Sequence, residues 1–198
     1  MDITSFVQQG VEFLVSSGVA VGAWKWIETK LKNKKIQKAT KALSDMALVY
    51  DQLNYVSREL DSDRTMLVYT SNGGGIPSVA KNIYYTVLYE VKDNNTESIR
   101  SHFQNVLVDE QHTVLLNEVL KNTYIVSKPS DLKDSFLKSN YEFQDVKRFV
   151  YFEVYRSPER FYYIALNWYD DVRVPEESNL KAVCQTAANN IKTILSQG

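Results

Sequence analysis

The segment from Lys25 to Leu60 constrains the fold most, because it contains neither glycine nor proline and favours one long helix. Apolar residues recur in it every seven positions, along two stripes that share one helix face. The stripes are Ile36, Leu43 and Tyr50, and Ala39, Met46, Leu53 and Leu60. We expect the helix to end at Asp61. The repeat fits both a parallel dimer seam and a helix packed on a sheet.

An uncharged apolar run, Phe13 to Trp24, precedes this helix, within a longer stretch from Ile3 to Trp26 that also holds Glu12. Two glycines four positions apart allow two helix backbones to approach closely. Two tryptophans at the end of the run are typical of the depth of the lipid headgroups, and the lysines that follow are typical of the cytoplasmic side of a membrane segment. We expect either a membrane anchor, spanning or interfacial, or self-association with copies of the chain or within a larger assembly. The residues for this role are Gly18, Gly22, Trp24, Trp26, Lys30, Lys34 and Lys35.

The charge is uneven, although the formal net charge of the 198 residues is only −1. Residues 1–41 carry seven lysines and three acidic residues, whereas the remainder has 16 basic and 21 acidic residues. A basic N-terminal arm predicts contact with an anionic membrane surface, and the acidic remainder argues against nucleic acid as a partner. The single cysteine, Cys184, excludes an internal disulfide and indicates a reducing compartment, the cytoplasm.

The periodicity changes after Arg64 to short β-branched and aromatic runs separated by turns. We predict strands at 65–70, 83–90, 123–127, 148–155 and 160–168. Helical spacing occurs within 97–122, a helix is expected from Ser130 to Tyr141, and another from Glu176 to Leu195 after Pro175. Antiparallel strands combined with helices predict an α+β domain.

This layout resembles the GAF domain, in which two framing helices and further covering helices flank an antiparallel sheet. The similarity spans about Ile36 to Leu195. It is carried by Phe143 to Glu153 followed by Phe161 to Asn167, and by Arg64 to Glu90 with its Asn-Gly-Gly-Gly turn. We therefore expect an α+β, GAF/PAS-like antiparallel sheet flanked by helices and preceded by a long N-terminal helix. The expected domains are 1–35, an anchoring or oligomerisation helix, and 36–198, a GAF-like domain.

The resemblance implies a small-molecule site between the sheet and its covering helices, or a role in dimerisation and signal relay. The candidate binding residues are Asn72, Gly73, Gly74 and Tyr85. The motif of cyclic-nucleotide-binding GAF domains is absent, and Cys184 lies away from the region where chromophore-bearing members attach a bilin. We expect no cofactor and no metal.

The sequence offers no catalytic motif: GxSxG, HExxH and GxxxxGK[ST] are all absent. No carboxylate stands at a metal-binding or catalytic spacing from His102 or His112, and we interpret both as surface or structural residues. We therefore expect a non-enzymatic sensory or interaction module, tethered by its N-terminal helix to a membrane or multimer, with an unknown small molecule or protein as partner. The alternative is a phage or bacterial structural or assembly protein, a virion component, that uses a GAF-like fold without a ligand.

Overall fold

The computed structural model describes residues 19–71, 82–158 and 160–196, with side chains from Lys25 onward. The first element, α1, runs over Val19–Glu59 as one helix, which confirms the long helix expected from the sequence. The described chain divides into two compact units between Met46 and Ala47. This division falls inside α1, eleven residues after the domain boundary expected at residue 35.

The unit from Ala47 onward is built around a six-stranded sheet in which all neighbouring strands are antiparallel. Its spatial order is β3-β2-β1-β6-β5-β4. The strands are β1 Arg64–Ser71, β2 Tyr84–Lys92, β3 Val106–Leu107, β4 Tyr124–Ser127, β5 Arg148–Arg156 and β6 Arg160–Trp168. Three further helices are α2 Glu110–Asn122, α3 Phe136–Phe143 and α4 Glu177–Ser196. This arrangement is the α+β fold predicted from the sequence.

Helices cover both faces of the sheet, because successive strand residues point to opposite sides and both sets are apolar. On β6, Ile164 and Leu166 pack with the C-terminal part of α1 and with α4, and we name this side the α1/α4 face. Tyr163 and Ala165 point the other way, towards α2 and α3, and we name that side the α2/α3 face. The molecule therefore has two separate cores, one on each side of the sheet.

The heptad pattern of α1 serves two purposes along its length. Leu53 and Leu60 are buried in the core of the α1/α4 face. Ile36 and Leu43, which lie earlier in the repeat on its other stripe, are 62% and 67% exposed. The C-terminal part of the repeat is thus a helix packed on a sheet, whereas the N-terminal part presents an uncovered apolar stripe.

Two elements differ from the sequence-based expectation. The helix predicted from Ser130 to Tyr141 begins instead at Phe136, because Ser135 is the residue that caps it, accepting a hydrogen bond from Lys138 N at 3.1 Å. The segment from Pro129 to Asp131 is only a single 3-10 turn. The edge strand β3 was not predicted, since two residues are too few to show a strand period.

No helix in the described parts of the chain has both the length and the apolar character needed to cross a bilayer. The stretch for which the sequence predicts an anchor, Ile3 to Trp26, lies mostly outside the described residues.

Candidate functional site

A small cavity lies on the α2/α3 face, between the sheet and the helices that cover it. Its volume is about 40 Å³, room for a few water-sized groups. Side chains from β1, β2, β5, β6, α2, α3 and the segment before β3 converge on it. The wall is formed by Met66, Val68, Tyr85, Val87, Ile99, Phe103, His112, Leu137, Asn140, Tyr141, Gln144, Tyr151, Tyr163, Ala165 and Asn167. We call this space the inner cavity.

Phenol hydroxyls and one imidazole form buried hydrogen bonds in the wall. The hydroxyls of Tyr141 and Tyr151 lie 2.6 Å apart, and His112 Nε2 lies 3.0 Å from the Tyr163 hydroxyl. The ring of Tyr85 meets the His112 imidazole edge-on, with 4.7 Å between centroids. The two hydrogen bonds pair the hydroxyls of Tyr141, Tyr151 and Tyr163 and the Nε2 atom of His112, and the contacts fix the rings around the cavity.

Asp109 fixes the position of His112 and joins the two covering helices. One of its carboxylate oxygens accepts a hydrogen bond from His112 N at 2.7 Å and caps the start of α2. The other oxygen accepts from Leu137 N at 3.1 Å, in the first turn of α3. A single carboxylate therefore sets the spacing of α2 and α3 above the cavity.

Burial keeps the ionisable groups of the wall uncharged. It lowers the pKa of His112 from 6.5 to about 4, although the Asp109 carboxylate acts in the opposite direction. Burial also raises the pKa of Tyr85, Tyr141 and Tyr163 well above the ordinary phenol value. At neutral pH the inner cavity thus presents hydroxyls and a neutral imidazole.

The neutral His112 makes the domain sensitive to acid. Between pH 6.5 and about 4 the unfolded imidazole binds a proton that the folded one does not, so the unfolding free energy falls as the pH falls. The loss through this window amounts to about 3 kcal/mol. We expect urea unfolding measured across the window to show this slope, and His112→Gln to flatten it. His102→Gln, a change at an exposed histidine, is the control. An unchanged slope in His112→Gln would contradict the assignment.

Asn167 of β6 is the most unusual residue of the wall. Its side chain is fully buried, and neither amide atom has a hydrogen-bond partner among the described residues. Leaving a buried polar group unpaired costs about 1–3 kcal/mol, so proteins rarely retain one without a reason. Because β6 alternates between faces, Asn167 points the same way as Tyr163 and Ala165, into the inner cavity.

A buried ion pair lies beside Asn167 in the register of the sheet. Arg64 is the β1 partner of Asn167, and its Nε is 3.1 Å from Glu90 Oε1, with both side chains at most 3% exposed. Its other nitrogens donate to Gln144 Oε1 and to the carbonyl oxygen of Glu97 at 2.7 Å. Glu90 compensates the charge of Arg64, so the pair adds no net charge beside Asn167.

Glu90 also holds the segment that borders the cavity before β3. Its carboxylate accepts hydrogen bonds from the backbone of Ile99 at 3.1 Å and of Arg100 at 3.2 Å, and from the Ser98 hydroxyl. The position of this segment therefore depends on the carboxylate that is paired with Arg64.

A larger open cleft adjoins the inner cavity. Its volume is about 650 Å³, and it shares four lining residues with the cavity: Ile99, Phe103, Asn140 and Gln144. The rest of its wall is partly aromatic and partly polar, and Phe136 and Phe143 in it are 56% and 91% exposed. We call it the outer cleft. The two spaces together offer a small, mostly apolar chamber next to a wider cleft with both aromatic and polar residues.

A third cavity, of about 420 Å³, lies at the end of the β5–β6 hairpin. Arg156 and Arg160 stand at its rim above an apolar floor formed in part by Leu116 and Phe161. Arg156 is already ion-paired with Glu153 at 2.9 Å. Among the described residues, no buried polar group that lacks a hydrogen-bond partner lines this cavity. It is therefore a weaker candidate for a binding site than the inner cavity.

The structure brings one of the four binding candidates to the inner cavity. Tyr85 stands in its wall. Gly18, Asn72, Gly73 and Gly74 fall outside the described residues, and Gly22 and Trp24 are described only as part of α1. Trp26 is 60% exposed, with the Lys30 ammonium 4.0 Å from the centre of its ring, and Lys34 and Lys35 are also exposed.

Sequence reasoning missed Asn167, Arg64 and Glu90 as site residues. The available signal was a polar residue within an otherwise apolar strand, Asn167 between Leu166 and Trp168. A buried position in a central strand requires a partner for such a side chain, and that requirement marks it as a candidate.

Cys184 does not belong to this site. It lies on α4 in the core of the α1/α4 face, on the other side of the sheet, and burial raises the pKa of its thiol to about 12. A thiol in this position cannot attach a chromophore in the inner cavity, whose volume is also far below that of a tetrapyrrole.

No family model matches the sequence, and no curated protein sequence is similar to it. Solved structures do match its fold. The cyanobacteriochrome receptor PixJ is similar with a TM-score of 0.55 and 8% identity, over 80% of this chain and 99% of that one. A far-red cyanobacteriochrome photoreceptor is similar with a TM-score of 0.54 and 12% identity, over 84% of this chain and 96% of that one. The PixJ GAF domain of Thermosynechococcus elongatus is similar with a TM-score of 0.53 and 10% identity, over 80% of this chain and 92% of that one.

These similarities confirm a GAF-like fold for the chain. At 8–12% identity they concern the fold alone. The chemistry of the site depends on its own residues and not on the fold.

Proposed function

We propose, starting from the GAF-like fold of this chain, that it is a non-enzymatic sensory module that binds a small molecule on its α2/α3 face. The observation that carries the proposal is the inner cavity with its orphaned Asn167, next to the outer cleft. A concave site with a few convergent polar groups on a mostly apolar wall is the usual form of a small-molecule pocket.

The composition of the cavity wall supports binding rather than catalysis. Its lining among the described residues includes no serine, threonine or cysteine nucleophile and no carboxylate. The one imidazole, His112, is engaged by the Tyr163 hydroxyl. Burial raises the pKa of the Tyr163 hydroxyl beside His112 well above the ordinary phenol value, so this hydroxyl stays neutral and is a poor nucleophile.

Blocking the passage between the two spaces tests the proposal. Asn140 of α3 lines both the inner cavity and the outer cleft, so Asn140→Trp fills the boundary between them. We expect ligand-observed NMR screening with a fragment library to give binders to the wild type whose affinity falls at least tenfold in this variant. The matched control is Ser139→Trp, at an exposed position of the same helix, which leaves affinity unchanged.

The proposal is wrong if the screen gives no binder, or if every binder tolerates Asn140→Trp in a protein whose circular dichroism shows the native fold. Absence of binders would favour the second candidate, a structural or assembly protein that uses the fold without a ligand. The small volume of the inner cavity, about 40 Å³ among packed aromatic rings, is the observation in favour of that alternative.

We propose further that α1 tethers the module by self-association. Its N-terminal part presents a stripe of exposed apolar side chains at heptad spacing, Ile36, Ala39, Leu43 and Met46. Such a stripe is the seam of a parallel coiled coil. The exposed basic residues before it, with Lys30 over Trp26, would suit the anionic inner face of a membrane, and would place the module in the cytoplasm.

Charging the seam tests self-association. We expect the full chain to sediment as an oligomer and Ile36→Glu/Leu43→Glu to weaken association at least a hundredfold, because each carboxylate would be buried against its copy. Gln37→Glu/Thr40→Glu, at exposed polar positions, is the control. A wild-type monomer would contradict the seam. Recovery of both variants with phosphatidylserine vesicles in flotation would then support a membrane anchor instead.

A further inference from the structure

We propose that the ligand of the inner cavity is an uncharged molecule that presents an amide edge to Asn167 and places an aromatic ring in the outer cleft. This inference rests on the proposed function and adds the chemical class of the ligand to it. It follows from three observations: the unpaired amide of Asn167, the charges around it and the sizes of the two spaces.

The pairing requirement comes from Asn167. Its Nδ2 can donate and its Oδ1 can accept, both atoms lack a partner among the described residues, and Asn167 lines the inner cavity. A ligand with an adjacent donor and acceptor, such as a primary carboxamide or a lactam edge, satisfies both atoms with two parallel hydrogen bonds. A ligand with only one of these functions leaves one atom of Asn167 unpaired in a fully buried place.

The charge of the ligand follows from the groups around Asn167. The guanidinium of Arg64 is neutralised by Glu90, which lies 3.1 Å away, and neither side chain is exposed. His112 and the tyrosines contribute neutral groups only, bound to one another. A carboxylate or an ammonium entering this chamber would lose its hydration without meeting a free opposite charge, so the site selects a neutral group.

The size of the ligand follows from the two volumes. The inner cavity, about 40 Å³, admits a group of about three heavy atoms, which is a carboxamide. The outer cleft, about 650 Å³, combines the rings of Phe103, Phe136, Phe143 and Tyr169 with polar and charged residues, and these rings suit a planar aromatic body. The simplest molecule that meets both conditions is an aryl carboxamide.

Isothermal titration calorimetry of the full chain with benzamide, benzoate and N,N-dimethylbenzamide tests the inference. All three contain the same phenyl ring. Benzoate differs from benzamide in its negative charge, and N,N-dimethylbenzamide differs in lacking the amide N–H donor. We expect benzamide to bind and the other two to bind at least tenfold more weakly. Asn167→Leu, which keeps the shape of the side chain and removes both polar atoms, should abolish this preference. Asn189→Leu, at an exposed position of α4, should preserve it.

The same Asn167→Leu variant provides a second readout without any ligand. Because it removes an unpaired polar group from the core, we expect the thermal unfolding midpoint to rise by about 2–4 °C. A fall of the midpoint would show that Asn167 is held by partners of its own, and would overturn the inference.

The outcomes separate this inference from the proposed function. If all three probes bind equally and Asn140→Trp removes their binding, the cavity binds ligands but not through an amide edge, and only the inference is wrong. If no probe binds while the fragment screen gives binders sensitive to Asn140→Trp, the inference is again overturned and the proposed function stands. If the fragment screen also fails, both are wrong.

Discussion

Arg64→Met is expected to destabilise the domain by about 3–5 kcal/mol, because it leaves the buried Glu90 carboxylate without its compensating charge. The same change removes the hydrogen bonds from Arg64 to Gln144 and to the Glu97 carbonyl, which join β1 to the end of α3 and to the segment before β3. Urea unfolding followed by circular dichroism measures the loss.

The double variant Arg64→Met/Glu90→Met is the control for this prediction. When both charges are replaced by apolar groups of similar volume no uncompensated charge remains, so the double variant should be more stable than Arg64→Met alone. The account of the ion pair is contradicted if Arg64→Met costs less than about 1 kcal/mol, the size expected of an exposed pair.

Trp168→Ala is expected to cost about 3–5 kcal/mol, the range found for removing a large buried aromatic side chain. Trp168 is fully buried on the α1/α4 face, and its indole donates to the Leu60 carbonyl oxygen at 3.2 Å, just beyond the end of α1. It therefore fixes the end of α1 to the last residue of β6. Thermal and urea unfolding of the domain measure the effect.

Trp26→Ala provides the matched comparison for Trp168→Ala, since the same side chain is removed where it is 60% exposed. We expect it to change the unfolding free energy of the domain by no more than about 0.5 kcal/mol. Equal losses in the two variants would show that the core of the α1/α4 face is not as described.

The long strands and helices could be predicted from the sequence because each of them carries a strong local pattern of apolar residues. The strand expected at 160–168 and the helix expected from Glu176 to Leu195 agree with β6 and α4 to within one residue. Each is long: β6 is an almost continuous apolar run, as expected for a strand buried on both faces, and α4 carries a helical apolar period. The short elements lack such a signal: β3 has two residues, and the start of α3 depended on which serine acted as its cap.

The candidate site could not be derived in the same way, because its members converge from distant parts of the chain. Tyr85 was named from the sequence, but Asn167 lies 82 positions later and reaches the same cavity only through the pairing of β1 with both β2 and β6. The absence of a partner for Asn167 is a property of the packed core. The burial that holds His112 neutral is likewise visible only once α2 lies on the sheet.

The central claim is that the α2/α3 face, and not the opposite face, receives a small molecule, and the ring signals of the tyrosines test it most directly. In protein labelled with ¹³C in its tyrosine rings, the tightest-binding fragment of the screen should shift the signals of Tyr85, Tyr141, Tyr151 and Tyr163, which line the inner cavity. The signals of Tyr69, Tyr155 and Tyr162, on the α1/α4 face, should stay in place. Shifts confined to this second group, or equal in both, would contradict the claim.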